Sequence, residues 1–206
     1  MKIFYRIIFL IIISSPAFAQ KKLSPEDLQR LQKRAVEYVY NFEFYIQQIA
    51  QAEKLQDKKA DIISALNLFE NKATIEVSNL KGIKKKYLIS DYLNNSVAKY
   101  SERYEVVVIE FLATQIDNLQ EKKDENGETY YEGTFKFTQL FCTQKKSLNS
   151  TDIENRSFTT CDYGDKTKKK GKVIVRQVTT IQGERWILKL SDITVEETTV
   201  LNSIAK

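Results

Sequence analysis

The sequence predicts an α+β fold: a cleaved signal peptide, then three N-terminal helices packed on one face of a bent, cone-like antiparallel sheet. Three observations predict it. Apolar residues recur at three- and four-residue intervals through the first half of the chain, which is typical of amphipathic helices. From Tyr104 onward apolar and polar residues alternate, as in half-buried strands. The alternation changes parity at Ser191-Asp192, which predicts a β-bulge that bends the last strand.

The first predicted helix spans residues 25–52, with Ser24 as N-cap and Pro25 at the first helical position. Tyr40 and Phe44 lie off its apolar stripe, so we expect this helix to be covered on more than one side. The other helices are predicted from Lys58 to Phe69 and from Asp91 to about Tyr100. The predicted strands are 73–78, 87–89, 104–116, 129–143, 173–181 and 185–198, and Asn126-Gly127 makes one of their hairpin turns.

Composition sets limits on the chemistry. The 206 residues are 42% apolar and 29% charged, which is enough apolar material for a core. The chain has no histidine, which excludes Ser-His-Asp and Cys-His nucleophiles and zinc sites built on histidine. Two cysteines are too few for a four-thiolate zinc site. We expect no metal and no cofactor.

The N-terminus has the pattern of a secretory signal peptide. Lys2 and Arg6 precede the apolar run 7–13, and Ala17-Phe18-Ala19 is a small-x-small cleavage site. We therefore expect residues 1–19 to be removed and residues 20–206 to form one exported domain, in the periplasm or secreted. The alternative is an uncleaved membrane anchor, but the apolar run is much shorter than the ~20 residues of a spanning helix.

The net charge and the hydropathy of residues 20–206 limit the classes of partner that we expect. The formal net charge of +5 falls once Lys2 and Arg6 leave with the peptide, which is too mild to propose nucleic acid. No other stretch is long and apolar enough to cross a bilayer. A lysine cluster between Lys166 and Lys172 falls at the end of a predicted polar loop, residues 144–171. It is either a solvated loop or a site for an acidic glycan, a lipid headgroup or a partner.

Export would place the two cysteines in an oxidising compartment. Cys142 and Cys161 are the only pair, and an oxidising compartment favours a disulfide between them. The alternative, a redox-active pair, usually has its thiols closer together in the sequence, as in C-x-x-C.

The order of elements resembles the nuclear transport factor 2-like (cystatin-like) superfamily, in particular small exported bacterial members of unknown role. The resemblance covers roughly Asp57 to Thr198. It rests on strand 73–78 after a helix ending at Phe69, and on the bent strand around Leu190-Ser191-Asp192-Ile193. It implies a fold shared by isomerases, dehydratases, epoxide hydrolases and many proteins that only bind. Dehydratases of this kind rely on a histidine, which is missing here, whereas isomerases use a carboxylate base with a tyrosine or acid as donor.

Glu110 is the carboxylate that the sequence singles out for such chemistry, because it interrupts an apolar strand. The alternative is a solvent-facing glutamate, or one that meets a lysine such as Lys136 across the sheet. Asp192 at the predicted bulge is a weaker candidate, and so are three tyrosines on the first helix: Tyr38, Tyr40 and Tyr45.

Two functions follow. The first is a non-catalytic binding or scaffolding domain that engages a partner protein or a small apolar ligand, in the cone or on the sheet face. It rests on an aromatic interior that lacks convergent polar groups, and a homodimer through the sheet face is a further option. The alternative is a cofactor-free isomerase or lyase that uses a buried carboxylate. The candidate pocket residues are Tyr38, Phe42, Tyr45, Phe135, Phe137 and Trp186.

Overall fold

The computed structural model describes residues 22–79, 81–145 and 161–201. The predicted signal peptide, residues 1–19, lies outside this range. The elements, in chain order, are α1 (Pro25–Gln51), α2 (Leu55–Leu66), β1 (Thr74–Ser78), β2 (Lys84–Leu88), α3 (Ile89–Asn95), a 3₁₀ turn (Val97–Lys99), α4 (Tyr100–Arg103), β3 (Tyr104–Ile116), β4 (Gln120–Lys123), β5 (Thr129–Lys145), β6 (Tyr163–Thr180) and β7 (Gly183–Val200). Among these residues, no helix combines the length and the apolar character needed to cross a membrane.

The strands form one seven-stranded sheet in the order β2-β1-β7-β6-β5-β3, and β4 also pairs with β5. The α+β class is therefore confirmed. One detail differs: β1 and β7 run parallel, with Ile75 beside Ile193, so the sheet is mixed rather than purely antiparallel. Strands joined by a hairpin must be antiparallel, but β1 and β7 are the first and a late strand of the chain and carry no such constraint.

Helix α1 begins at its predicted cap and packs on the inner face of the sheet. The Ser24 hydroxyl accepts a hydrogen bond from the Asp27 N–H at 3.1 Å. Phe42 is fully buried, and its ring lies 5.9 Å from the ring of Phe111 on β3. Tyr40 and Phe44 remain about half exposed, so the expectation that the faces of α1 carrying these two residues are covered is wrong.

Side chains of α1 also bond to the backbone at the edge of β3. The Gln47 side chain accepts from the Ile109 N–H at 2.6 Å and donates to the Val107 carbonyl at 2.7 Å. The Glu43 carboxylate accepts from the Phe111 N–H at 2.9 Å. An edge strand normally leaves such groups to water or to another strand. In this protein the long first helix satisfies them.

The predicted bulge in β7 is confirmed, and it joins β1 to the sheet. Ser191 and Asp192 stand opposite the single residue Lys172 of β6. The Asp192 carboxylate accepts from the Thr74 N–H at 2.8 Å and from the Thr74 hydroxyl at 2.7 Å. Burial alone would raise the pKa of Asp192, but these hydrogen bonds hold it below its usual value. Asp192 therefore has a structural role that accounts for its position.

The largest difference from the sequence prediction lies in β6. The prediction of a loop over residues 144–171 is wrong over its last third, because the strand begins at Tyr163 rather than at Val173. Lysines occupy every outward position from Lys166 to Lys172, so this part of the strand lacks the apolar residues by which strands are predicted. Residues 146–160 of that loop lie outside the described range.

Cys142 near the end of β5 and Cys161 just before β6 form a disulfide, with their Cα atoms 5.4 Å apart. The predicted bridge is present in the structure. It ties the end of one central strand to the start of the next.

We expect the double variant Cys142→Ala/Cys161→Ala to lose ~3 kcal/mol of unfolding free energy in urea, because the bridge closes a loop with a sequence separation of 19. Reduced wild-type protein should show a similar loss. Equal stability of the oxidised protein and the double variant would contradict this expectation.

Candidate functional site

The inward-facing residues of β5 and β6 change from apolar to polar toward one end of the sheet. On β5 the buried Phe137 is followed on the same face by the buried Gln139. On β6, Val173 gives way on the same face to Lys169 and then to Asp165. Phe141, the next inward residue of β5, is apolar, so this end of the interior combines polar and apolar side chains, whereas the other end is apolar.

A cavity of about 290 Å³ lies at the end with the polar side chains. The end of β1, helices α3 and α4, the start of β3, and strands β5 and β6 enclose it. Its polar lining includes Ser78, Tyr92, Tyr100, Gln139, Asp165 and Lys169. Its volume is close to the lower limit of small-molecule pockets, at roughly 300 Å³.

Asp165 supplies the carboxylate in the lining of this cavity. Its two oxygens accept hydrogen bonds from the Tyr163 hydroxyl and the Thr167 hydroxyl, both at 2.9 Å. Its negative charge contributes to raising the pKa values of Tyr92, Tyr100 and Lys169. Asp165 is thus fixed in orientation and electrostatically coupled to the other polar groups of the cavity.

Two tyrosine side chains, Tyr92 and Tyr100, line the cavity with it. Each acts electrostatically on the other. Burial raises the pKa of Tyr92 well above its ordinary value and that of Tyr100 to about 12. Both hydroxyls therefore stay protonated near neutral pH and remain hydrogen-bond donors.

Lys169 supplies an amine that has no hydrogen-bond partner among the described residues. Only 2% of the residue is exposed. Burial lowers the pKa of this amine to about 8, against the opposing effect of Asp165 and Glu76.

A second buried lysine, Lys58, has hydrogen-bond partners for its amine. Lys58 is 5% exposed, and its amine donates to the Ala98 carbonyl at 2.5 Å and to the Ser101 hydroxyl at 2.9 Å. Lys58 therefore fits a structural role, whereas Lys169 leaves a buried polar donor unused. Such a group is unfavourable unless something else binds to it.

Two larger cavities among the described residues have no buried amine without a hydrogen-bond partner in their lining. One, of about 480 Å³, lies between the end of α2 and the sheet, and its charged groups are paired: Arg176 with Glu70 at 3.3 Å, and the Lys189 amine with the Asn67 carbonyl. The other, of about 320 Å³, lies against the start of α1 and is bordered by Trp186. We therefore choose the cavity around Asp165 for its polar groups and not for its volume.

None of the six aromatic residues predicted as pocket residues lines this cavity. Phe42, Phe135 and Phe137 are buried in the core, and Phe137 packs on Phe111 of β3. The other three, Tyr38, Tyr45 and Trp186, are partly buried and pack against that core. Their aromatic character reflects packing of the apolar end of the interior.

Glu110 faces solvent, and its neighbour across the ladder is Leu140 rather than Lys136. Strand parity explains this position, since Ile109 and Phe111 take the inward sites. The mechanism through Glu110 is therefore wrong. The carboxylate that lines the cavity is that of the partly buried Asp165. The expectation of an interior without convergent polar groups is also wrong.

One signal in the sequence could have found the site. Counting backward by two from the buried Val173 leads through Gly171 to Lys169, Thr167 and Asp165. Read as one strand, this alternation places the three polar residues on the inner face. The tyrosines of α3 and α4 carry no comparable signal, because tertiary packing alone brings them to the cavity.

No protein-family model and no curated protein matches this sequence. Among solved structures, the chain is similar to an aromatic ring hydroxylase of Novosphingobium aromaticivorans, at a TM-score of 0.42 and 12% identity over 87% of this chain and 96% of the other. It is also similar to a scytalone dehydratase of the same species, at a TM-score of 0.40 and 10% identity over 88% and 98% of the two chains. A hexachlorocyclohexane dehydrochlorinase gives a TM-score of 0.40 and 12% identity over 85% and 95%. The order of elements and the bent last strand, which suggested the nuclear transport factor 2-like superfamily, are both present in the structure.

We expect Lys169→Met to raise the unfolding free energy at pH 7 by ~3 kcal/mol, because the amine loses affinity for its proton when it is buried on folding. The folded pKa lies near 8 and the ordinary value is 10.5, so wild-type protein should regain stability relative to the variant as pH rises between these values. Urea unfolding at a series of pH values measures both effects.

The matched control is Lys168→Met. Lys168 lies on the outer face and forms an exposed ion pair with Glu197 at 2.6 Å, so its replacement should leave the unfolding free energy close to that of wild type. A Lys169→Met variant that is less stable than wild type at pH 7 would show that the amine has a stabilising partner.

Proposed function

We propose that this protein is a cofactor-free isomerase or lyase that transfers a proton within a small carbonyl compound bound in the cavity around Asp165. One observation carries the proposal: a carboxylate, two protonated tyrosine hydroxyls and an unpaired buried amine converge on one cavity of about 290 Å³. Removal of a proton beside a carbonyl needs a base, and a donor for the oxygen that becomes negative.

Asp165 is the base in this proposal. Its carboxylate is held by Tyr163 and Thr167, so it is already oriented when a ligand arrives. A positioned carboxylate that accepts a proton in the transition state contributes a rate factor of typically 10²–10⁴.

Tyr100 is the donor to the developing oxyanion. Its hydroxyl lines the cavity together with Tyr92 and Asp165, where it can donate a hydrogen bond to a ligand oxygen. Because both pKa values are raised, the pair stabilises an oxyanion by hydrogen bonding without losing its own protons near neutral pH.

Export of the mature chain remains part of the proposal. The Cys142–Cys161 disulfide is compatible with an oxidising compartment. A homodimer through the outer sheet face is disfavoured, because exposed lysines such as Lys166 and Lys170 would face their own copies.

The test uses 3-cyclohexen-1-one, a small ketone with exchangeable protons, as probe. We expect wild-type protein to accelerate its conversion to the conjugated enone, followed by ultraviolet absorbance, and exchange of its α-protons in D₂O, followed by NMR. Asp165→Asn should lower the rate at least ~100-fold, and Tyr100→Phe should lower it by ~10²–10³ in kcat.

Glu110→Gln is the matched control, because it removes an exposed carboxylate from the same protein and should leave the rate unchanged. Equal rates for wild type and Asp165→Asn would overturn the role of Asp165. Binding of the ketone without exchange would favour a protein that binds and does not catalyse.

A further inference from the structure

The proposed proton transfer does not use the Lys169 amine. This amine lines the cavity, it is buried, and no described residue accepts a hydrogen bond from it. A neutral side chain of similar length would fit this position without that disadvantage. The geometry therefore calls for a ligand group that engages the amine.

The charges around the amine indicate which ligand group suits it. Asp165 and Glu76 both act electrostatically on Lys169, so one amine lies in the field of two carboxylates. The Glu76 carboxylate accepts from the N–H of Val195, the residue that pairs with Lys169 across the sheet, at 3.1 Å. A negatively charged ligand would meet this excess of negative charge, whereas an uncharged carbonyl would not.

We propose that the Lys169 amine forms an imine with the carbonyl carbon of an aldehyde or ketone bound in this cavity. The inference rests on the proposed function, since it concerns the same cavity and the same base, Asp165. In the imine, the nitrogen replaces the carbonyl oxygen as the atom that takes up electrons during proton transfer. The four-carbon arm of lysine lets the amine move further into the cavity.

The step balances without an oxidant or a reductant. The lone pair of the neutral amine attacks the carbonyl carbon, so a C–N bond forms and the carbonyl oxygen takes up a proton. The resulting carbinolamine loses that oxygen as water when the C–O bond breaks and the C=N bond forms. Tyr100 is placed to donate the proton, and Asp165 to accept protons that leave the nitrogen.

Burial favours this reaction over the reaction of any exposed lysine. With a pKa of about 8, roughly one amine in ten is neutral at pH 7, compared with about three in ten thousand for an ordinary lysine. The neutral fraction of Lys169 is therefore larger by ~300-fold. Its limited access offsets part of this advantage.

The experiment traps the imine. Wild-type protein is exposed briefly to propanal and sodium cyanoborohydride at pH 7, and reduced adducts are mapped by mass spectrometry of peptides. We expect the Lys169 adduct to form at least ~10-fold faster than adducts at the exposed Lys168 and Lys170. Urea-unfolded protein gives the baseline, in which all three should react alike.

Two controls separate reactivity from burial. Lys58 is buried but hydrogen-bonded, so it should react more slowly than the exposed lysines. Lys169→Met should lose only the fast adduct, and its stability, measured as above, shows that it folds.

Labelling of Lys169 at or below the rate of Lys168 overturns the imine. That result is distinguishable from failure of the proposed function: proton exchange that depends on Asp165 but persists in Lys169→Met would leave the base in place and remove only the covalent step.

Discussion

The pairing of β6 with both of its neighbours decides which side chains reach the interior of this protein. β6 is hydrogen-bonded to β5 from Tyr163 to Arg176 and to β7 from Asp165 to Thr180. Because alternate residues point to opposite faces, this double pairing sends Asp165, Thr167 and Lys169 inward and the intervening lysines outward. The cavity and its chemistry follow from that register. The bulge in β7 bends the same sheet around the helices.

The same register places a destabilising group, the Lys169 amine, in the cavity for which we propose a function. An amine on the inner face without a hydrogen-bond partner weakens the fold near neutral pH, while Lys58 shows that the same protein can satisfy a buried amine. Proteins commonly retain unfavourable groups where chemistry needs them. In this cavity the burial that is unfavourable for the ammonium form also supplies the neutral amine and keeps the tyrosine hydroxyls protonated.

Much of the fold follows from local patterns in the sequence. The cap at Ser24, the apolar periodicity of α1, the alternation in β5 and the parity change at Ser191-Asp192 each have a local physical cause, and each is present in the structure. The candidate site depends on long-range packing. Tyr92 and Tyr100 reach Asp165 only after α3 and α4 dock at the open end of the sheet. The apolar neighbours of Glu110 along the chain favour a buried carboxylate, but the alternation of side chains along a strand places Glu110 on the solvent face. The start of β6 is not predicted from the sequence, because lysine is depleted in strands.

The hydrogen bonds from Glu43 and Gln47 to β3 have a consequence for behaviour in concentrated solution. Growth of fibrils by strand addition requires a free row of backbone donors and acceptors at the margin of a sheet. At β3 part of that row is occupied by the protein's own helix. At the opposite margin, β2 presents the consecutive cations Lys84, Lys85 and Lys86, which repel an identical incoming strand. Because both margins of the described sheet are protected in this way, we expect the folded protein to resist assembly into fibrils.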